Sequence, residues 1–217
     1  MRTTEQLGPY TLIQQDGLPK IDRDSLLLGR FATVRKGDRV FDLGCGVGVL
    51  GLCLAEQAED LTLDGLDIQP SCVSLAQENL VRNGLMGEIW QGDVTAFRPT
   101  LPNRRYDLVI SNPPYFQPGR GKTAGGSRGI ARTGDENGLL PWCETARRLL
   151  RNGGRFALCC RPWDMNALFH HLTSCGLEPK RMQAVQSGTE QRANLILVEA
   201  VAQGKPGLEL LPAVIMR

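Results

Sequence analysis

Three carboxylates and one asparagine fall where apolar runs stop. "FDLGCGVG" carries Asp42 two residues ahead of Gly44, with Gly46 and Gly48 at spacings of two after it; "LTLDGLDI" stops at Asp67 and Ile68; "GEIWQGDV" stops at Asp93 and Val94. "YDLVIS" breaks into Asn112, Pro113, Pro114 and Tyr115, with Phe116 next. Glycines between a strand and a helix let the backbone approach a ligand closely, and the helix start behind them offers unpaired N–H groups. Such a turn binds a nucleotide or something built like one. A dinucleotide site uses that helix start for a pyrophosphate, which the carboxylate of Asp42 would repel. An amine or a sulfonium suits it instead.

The strand end at Asn112 suits a different task. An exocyclic amine on a planar base is a poor nucleophile because its lone pair is delocalised into the ring. Hydrogen bonds accepted from both amine protons, by the Asn112 side-chain oxygen and the Pro113 carbonyl, draw the nitrogen towards tetrahedral geometry and free the lone pair. Pro113 and Pro114 bring no N–H donor to compete and restrict the backbone that holds the carbonyl. Tyr115 offers a ring on which a base can stack. Each feature alone has a bland account: a tight strand-to-helix turn, helix-capping acids, a rigid proline loop. Three acids at three successive strand ends, on the edge of the sheet where ligands bind, favour the site.

The elements that must position these residues read as an alternation of strands and helices. A hairpin is expected first, "TLIQQ" and "LPKID" around Asp16-Gly17, then a short helix from about Ser25. Strands follow at "DRVFDLG", "LTLDGLDI", "GEIWQGD" and "YDLVIS", with helices at "VGVLGLCLAEQA" and "PSCVSLAQENLVRNG" between them. After a glycine-rich loop, "NGLLPWCETARRLLRNGG" and "WDMNALFHHLTSCG" read as helices flanking the strand "RFALCCRP". "KRMQAVQS" and "RANLILVEAVA" read as an antiparallel edge, and "GLELLPAVIMR" as a tail packed back on the fold. The expectation is an α/β protein with a mainly parallel seven-stranded sheet, an antiparallel edge strand and helices on both faces. Residues 1–217 are expected to form a single domain, with 1–37 as an N-terminal hairpin and helix extension.

Composition excludes more than it assigns. The chain is 41% hydrophobic and 22% charged, which rules out a disordered or fibrous protein. Seven cysteines with no CxxC pair, and two adjacent histidines, give neither a metal site nor a disulfide framework. With no apolar run of membrane-spanning length and no signal-peptide pattern, a soluble cytoplasmic protein is expected. The net charge of +2 hides an asymmetry: residues 1–97 hold 8 Lys/Arg against 14 Asp/Glu, and residues 98–217 hold 17 against 9. The loop after the NPPY stretch contributes Arg120, Lys122, Arg128 and Arg132 with no acid between them, a surface suited to phosphates.

The turn D-x-G-x-G-x-G and the NPPY strand end together resemble class I S-adenosylmethionine-dependent methyltransferases of the N/D-P-P-Y/F group, which act on planar nitrogens. "DSLLLG" ahead of "RVFDLGCGVGVLGL", and "NPPYF" followed by "GIAR", resemble the bacterial tRNA adenine-N6 methyltransferase family in particular, over nearly the whole chain. The resemblance implies a Rossmann-like fold, S-adenosylmethionine as cofactor, and an RNA substrate, tRNA near the anticodon, with no metal and no membrane. It implies a cofactor site of Asp42, Gly44, Gly46, Gly48, Asp67, Ile68, Asp93, Val94 and Asn112, in which Asp67 accepts the ribose hydroxyls and Asp93 the adenine amine. Catalysis falls to Asn112, Pro113, Pro114 and Tyr115, and RNA contact to Tyr115, Phe116, Arg120, Lys122, Arg128 and Arg132. The chain departs from the family in having Asp67 where glutamate is usual, and in placing Asp135 and Glu136 further along after "AR". A protein glutamine amide, or an adenine in rRNA or DNA, is the alternative acceptor. A nicotinamide-dependent dehydrogenase would share the architecture but not the glycine spacing.

Overall fold

A computed structural model describes residues 1–98, 106–114 and 138–216. Eight strands form one sheet, in the order β10-β8-β9-β7-β6-β3-β4-β5, and two more pair beside it. In chain order the elements are β1 (Arg2–Leu7), β2 (Tyr10–Gln15), α1 (Arg23–Phe31), β3 (Arg39–Leu43), α2 (Val49–Ala55), β4 (Thr62–Asp67), α3 (Pro70–Arg82) and β5 (Ile89–Gln91). They continue with β6 (Tyr106–Ser111), α4 (Leu140–Leu149), β7 (Leu150–Cys160), α5 (Met165–Ser174), β8 (Leu177–Gln186), β9 (Ala193–Ala202) and β10 (Glu209–Ile215).

Strands β5, β4, β3, β6 and β7 run parallel, so their carboxyl ends share one edge. Side chains along β3 alternate between two cores. Phe41 and Leu43 pack with Leu149, Phe156, Leu168 and Leu172 under α4 and α5, while Val40 packs with Leu28, Leu50 and Leu54 under α1 and α2. A sheet covered on both faces needs strands apolar on both faces, which is why β3, β6 and β7 read as near-continuous apolar runs. Helix α3 begins with Pro70, whose missing N–H costs nothing in a first turn.

Three expectations need correction. The hairpin is formed by β1 and β2, with Leu7 paired to Tyr10 across Gly8-Pro9, whereas Asp16-Gly17 makes a separate turn. Gly8 has φ 53 and takes the left-handed position of that two-residue turn. "LPKID" forms no strand; its Ile21 N–H donates to the side-chain oxygen of buried Gln14 at 2.7 Å. Second, the tail is an eighth strand of the main sheet, β10, parallel to β8. Pro212 lies within it, which an edge strand tolerates, and a register shift falls between Leu211 and Val214. The antiparallel strand β9 is internal, between β7 and β8, as its buried apolar run demands, and β10 makes β8 internal too. Its one acid, Glu199, accepts from Thr33 N at 2.7 Å and pairs with Arg181 at 3.2 Å. Third, α4 ends at Leu149, and "LRNGG" opens β7 instead of prolonging the helix.

Six of the seven cysteines are buried and all are free. No helix among the described residues is long and apolar enough to cross a membrane.

Candidate active site

A cavity of about 340 Å³ opens at the carboxyl edge of β3, β4 and β6. Its walls include Gly44, Cys45, Gly46 and Val47 from the turn after β3, Asp67 and Ile68 from the end of β4, Asp93 and Val94 after β5, and Asn112 and Pro114 after β6. Most of the expected cofactor residues and the NPP strand end thus converge on one space. Gly48 is the cap residue of α2 with φ 88, behind the wall. Tyr115, Phe116, Arg120, Lys122, Arg128 and Arg132 lie outside the described residues.

The turn after β3 is fastened by its neighbour strand. The N–H groups of Gly44 and Cys45 both donate to Leu66 O, at 2.8 and 2.9 Å, and Gly46 N–H donates to Asp67 Oδ2 at 2.9 Å. Gly44 has φ 73, and a Cβ built there would come within 2.9 Å of the Trp142 ring, so glycine is required both by conformation and by space. Asp67 also accepts from Gln69 N–H through Oδ1 at 2.9 Å. Part of the bland account is therefore right: Asp67 does organise the start of α3. The same two bonds leave further lone pairs on each carboxylate oxygen at the cavity wall. Burial raises the Asp67 carboxyl above the usual range, against the lowering by those N–H donors. Asp93 accepts from both Thr95 N and Thr95 Oγ1 at 2.8 Å, and both bonds go to Oδ1.

Asp42 behaves differently from its expected role as a direct wall residue. It does not line the cavity; it is buried behind the turn, 5% exposed, and neither carboxylate oxygen has a hydrogen-bond partner. Burial, and the like charge of Asp67 next, push its pKa up to about 8. An unpartnered buried carboxyl is costly, so its presence calls for a ligand or cation nearby, or for a bound proton. The Cys45 thiol in the turn is pushed up by burial and by the same two aspartates.

At the other wall, Asn112 Nδ2 donates to Ser25 Oγ at 3.0 Å and reaches Asp22 Oδ2 at 3.4 Å, while Asn112 Oδ1 accepts from Cys159 Sγ at 3.1 Å. Ser111, one residue earlier, is fully buried and donates to Leu43 O at 2.7 Å, which ties β6 to the end of β3.

Sequence reasoning missed the rest of the wall. Pro19, Lys20 and Asp22 come from the lead-in to α1, Ser25 from its first turn, and Pro141 and Trp142 from the first turn of α4. Both helices run antiparallel to the strands they precede, so their first turns must lie at the carboxyl edge. That rule could have found these residues.

A mainly parallel sheet with this strand order, a glycine turn after its first long strand and an NPP strand end beside it define a Rossmann-like methyltransferase. A family model for the methyltransferase small domain matches residues 17–135. Similar curated proteins include the tRNA1(Val) (adenine(37)-N6)-methyltransferase of Tolumonas auensis, 31% identical over 82% of this chain and 75% of that protein. The Parabacteroides distasonis protein of the same name is 28% identical over 91% and 83% of the two chains. The chain belongs to the methyltransferase small domain family, in the group of the tRNA1(Val) (adenine(37)-N6)-methyltransferases. Among solved structures, a predicted O-methyltransferase from Agrobacterium tumefaciens superposes with a TM-score of 0.71 at 21% identity, over 89% of this chain and 88% of that one. A Thermus thermophilus 16S rRNA N2 methyltransferase in complex with AdoMet and guanosine gives 0.62 at 22% identity, over 93% of this chain and 50% of that one. At those identities the two superpositions establish the fold.

Proposed function

We propose that this chain, working as one cytoplasmic domain, methylates N6 of an adenine in tRNA beside the anticodon with S-adenosylmethionine as donor. The observation that carries the reading is the meeting of Asn112 and Pro114 with the glycine turn, Asp67 and Asp93 on one cavity. The curated relatives, named for adenine 37 of a valine tRNA, support the same position here.

The residues present fit that cofactor. The cavity suits a nucleoside with a short polar tail, Asp67 has lone pairs for two ribose hydroxyls, and Asp93 keeps Oδ2 for an adenine amine. Ile68, Val94 and Trp142 supply apolar surface for the base. Asp42, buried without a partner behind Gly44, suits a cationic ligand in front of the turn. When bound, S-adenosylmethionine supplies a methyl carbon whose bond to sulfur breaks as its bond to nitrogen forms, leaving a neutral thioether.

Asn112 Oδ1 and the Pro113 carbonyl accept hydrogen bonds from the two protons of the target amine. Both bonds strengthen as the nitrogen becomes tetrahedral and positive, so they stabilise the transition state more than the ground state. Once methylated, the positive nitrogen is acidic enough to lose a proton to solvent water, so no strong base is required. Tyr115 and Phe116 stack on the extruded base, and Arg120, Lys122, Arg128 and Arg132 hold the backbone phosphates.

Labelled-methyl transfer to total RNA from a strain lacking the gene, followed by nucleoside mass spectrometry, tests this. The expected product is N6-methyladenosine in tRNA. Label in protein glutamine, or in rRNA or DNA with none in tRNA, would overturn the substrate and keep the chemistry.

A further inference from the structure

α1 starts with the stretch Asp22-Arg23-Asp24-Ser25, Asp22 being its cap, and two of these side chains meet the asparagine at the end of β6 across 87 to 90 residues of sequence. Ser25 is 9% exposed, and its Oγ accepts from Asn112 Nδ2 at 3.0 Å. Asp22 caps α1 by accepting Ser25 N–H at 2.7 Å, and its carboxylate oxygens stand 3.4 and 3.5 Å from the same Nδ2. Those longer contacts are weak hydrogen bonds, but they put a negative charge beside the amide. From the opposite side, the fully buried Cys159 thiol on β7 donates to Asn112 Oδ1. The first turn of α1 is itself anchored just past the end of β7, where Asp24 pairs with Arg161 at 3.1 Å.

We propose that Asp22 and Ser25 are positioning residues that fix which end of the Asn112 amide is offered as an acceptor. The inference rests on the reading above for what Asn112 does. A side-chain amide has one oxygen and one NH2 group of nearly the same shape, so nothing steric keeps it from rotating by half a turn. Rotation would set the oxygen against the Asp22 carboxylate and take the two donors away from Ser25 and Asp22. The hydroxyl and the charge therefore hold the nitrogen towards α1 and the oxygen away from it. A target amine needs an oxygen; an NH2 group in its place would meet the amine's own protons and oppose the reaction. The N-terminal extension thus does more than cover the sheet, since it sets the polarity of the catalytic amide.

The two contacts can be separated by substitution. Ser25→Ala removes the acceptor, Ser25→Thr restores a hydroxyl, and Asp22→Asn keeps a capping oxygen for Ser25 N–H while removing the charge. With wild-type tRNA methylation established first, Ser25→Ala and Asp22→Asn should each lower kcat roughly 10- to 100-fold. KM for tRNA and the calorimetric affinity for S-adenosylhomocysteine should stay within about twofold, while Ser25→Thr regains most of kcat. A spectroscopic readout is independent of the substrate. The Asn112 side-chain NH2 signals, assigned with Asn112→Asp, should exchange slowly with solvent in wild type and Ser25→Thr and rapidly in Ser25→Ala. Wild-type kcat in Ser25→Ala, or rapid exchange already in wild type, would overturn the clamp. So would losses of kcat, cofactor affinity and melting temperature in common proportion, which would make Ser25 only a packing residue. A wild type that methylates no tRNA would instead defeat the functional reading, and the amide signals would still decide the clamp.

Discussion

Asp42→Asn isolates the cost of a buried carboxyl that has no partner. The unfolded chain loses this proton near the ordinary value of 3.8, whereas the folded chain holds it up to about 8. Between those values the native state binds a proton that the unfolded state has released, so stability falls as pH rises through the window and levels off above its top. The slope approaches about 1.4 kcal/mol per pH unit, or up to about 3 kcal/mol between pH 5 and pH 7. Asparagine has the same shape and no proton to lose. Its NH2 group, left without a partner in the same pocket, costs about 1–3 kcal/mol at every pH. Asp42→Asn should therefore gain on wild type steadily from pH 5 towards pH 8. Urea denaturation of both proteins at pH 5, 6, 7 and 8 reads the difference directly, because groups common to both cancel. Ligand binding should mirror it: a cation in front of the turn favours the charged carboxylate, so cofactor affinity in wild type should rise with pH to about 8 and stay nearly level in Asp42→Asn. Parallel stability curves would refute the reasoning and mean that Asp42 stays charged in the folded state.

Asp67→Ala should weaken S-adenosylmethionine about 10- to 100-fold and also lower stability by about 1–3 kcal/mol, because the N–H groups of Gly46 and Gln69 lose their acceptor. Calorimetry with unchanged cofactor affinity would reduce Asp67 to a fastener of the turn. Asn112→Ala should lower kcat by roughly a hundredfold or more while cofactor affinity holds within about twofold, since its contact strengthens only as the nitrogen becomes tetrahedral. Equal losses in both would make Asn112 structural. Replacing Arg120, Lys122 and Arg128 together by Ala should flatten the salt dependence of tRNA binding by about two to three units of log–log slope without altering cofactor affinity. An unchanged slope would move the RNA surface elsewhere, with Arg147, Arg148 and Arg151 of α4 and β7 the next basic group to test.

The parallel core of the sheet was legible because its strands are buried on both faces and therefore read as short, bounded apolar runs. The site at its carboxyl edge was legible for the same reason: a polar residue that interrupts such a run, as Asp67 and Asn112 do, marks both the strand's end and the ligand's side. What stayed hidden depends on pairing. Leu7 meets Tyr10 around Gly8-Pro9, and Gln15 does not meet Leu18, because the Thr11 and Ile13 edge of β2 is taken by the side chains of Asn79 and Asn83 at α3 and its end. Ile13 N–H and Thr11 N–H find those two side-chain oxygens at 2.8 Å, a match across 66 and 72 residues that no local pattern records. Strand β10 was hidden by Pro212 and by a largely exposed side-chain pattern, both acceptable only at an edge.

The overlooked wall of the cavity follows one rule. Every strand of the parallel core points its carboxyl end at the site, and a helix that feeds such a strand runs back the other way. The amino-terminal turn of that helix then lies at the site whatever its sequence. For α1 that turn holds Asp22 and Ser25, and for α4 it holds Pro141 and Trp142, all of which line the cavity. The consequences differ with the side chains. Trp142 closes on Gly44 so tightly that no Cβ fits between them, which fixes the glycine of the turn from outside the motif. Ser25 and Asp22 instead act on polarity, holding the nitrogen end of Asn112. A motif such as NPPY therefore leaves half of its own chemistry open: the prolines restrict the backbone, but an asparagine amide can face either way until something outside the motif holds it.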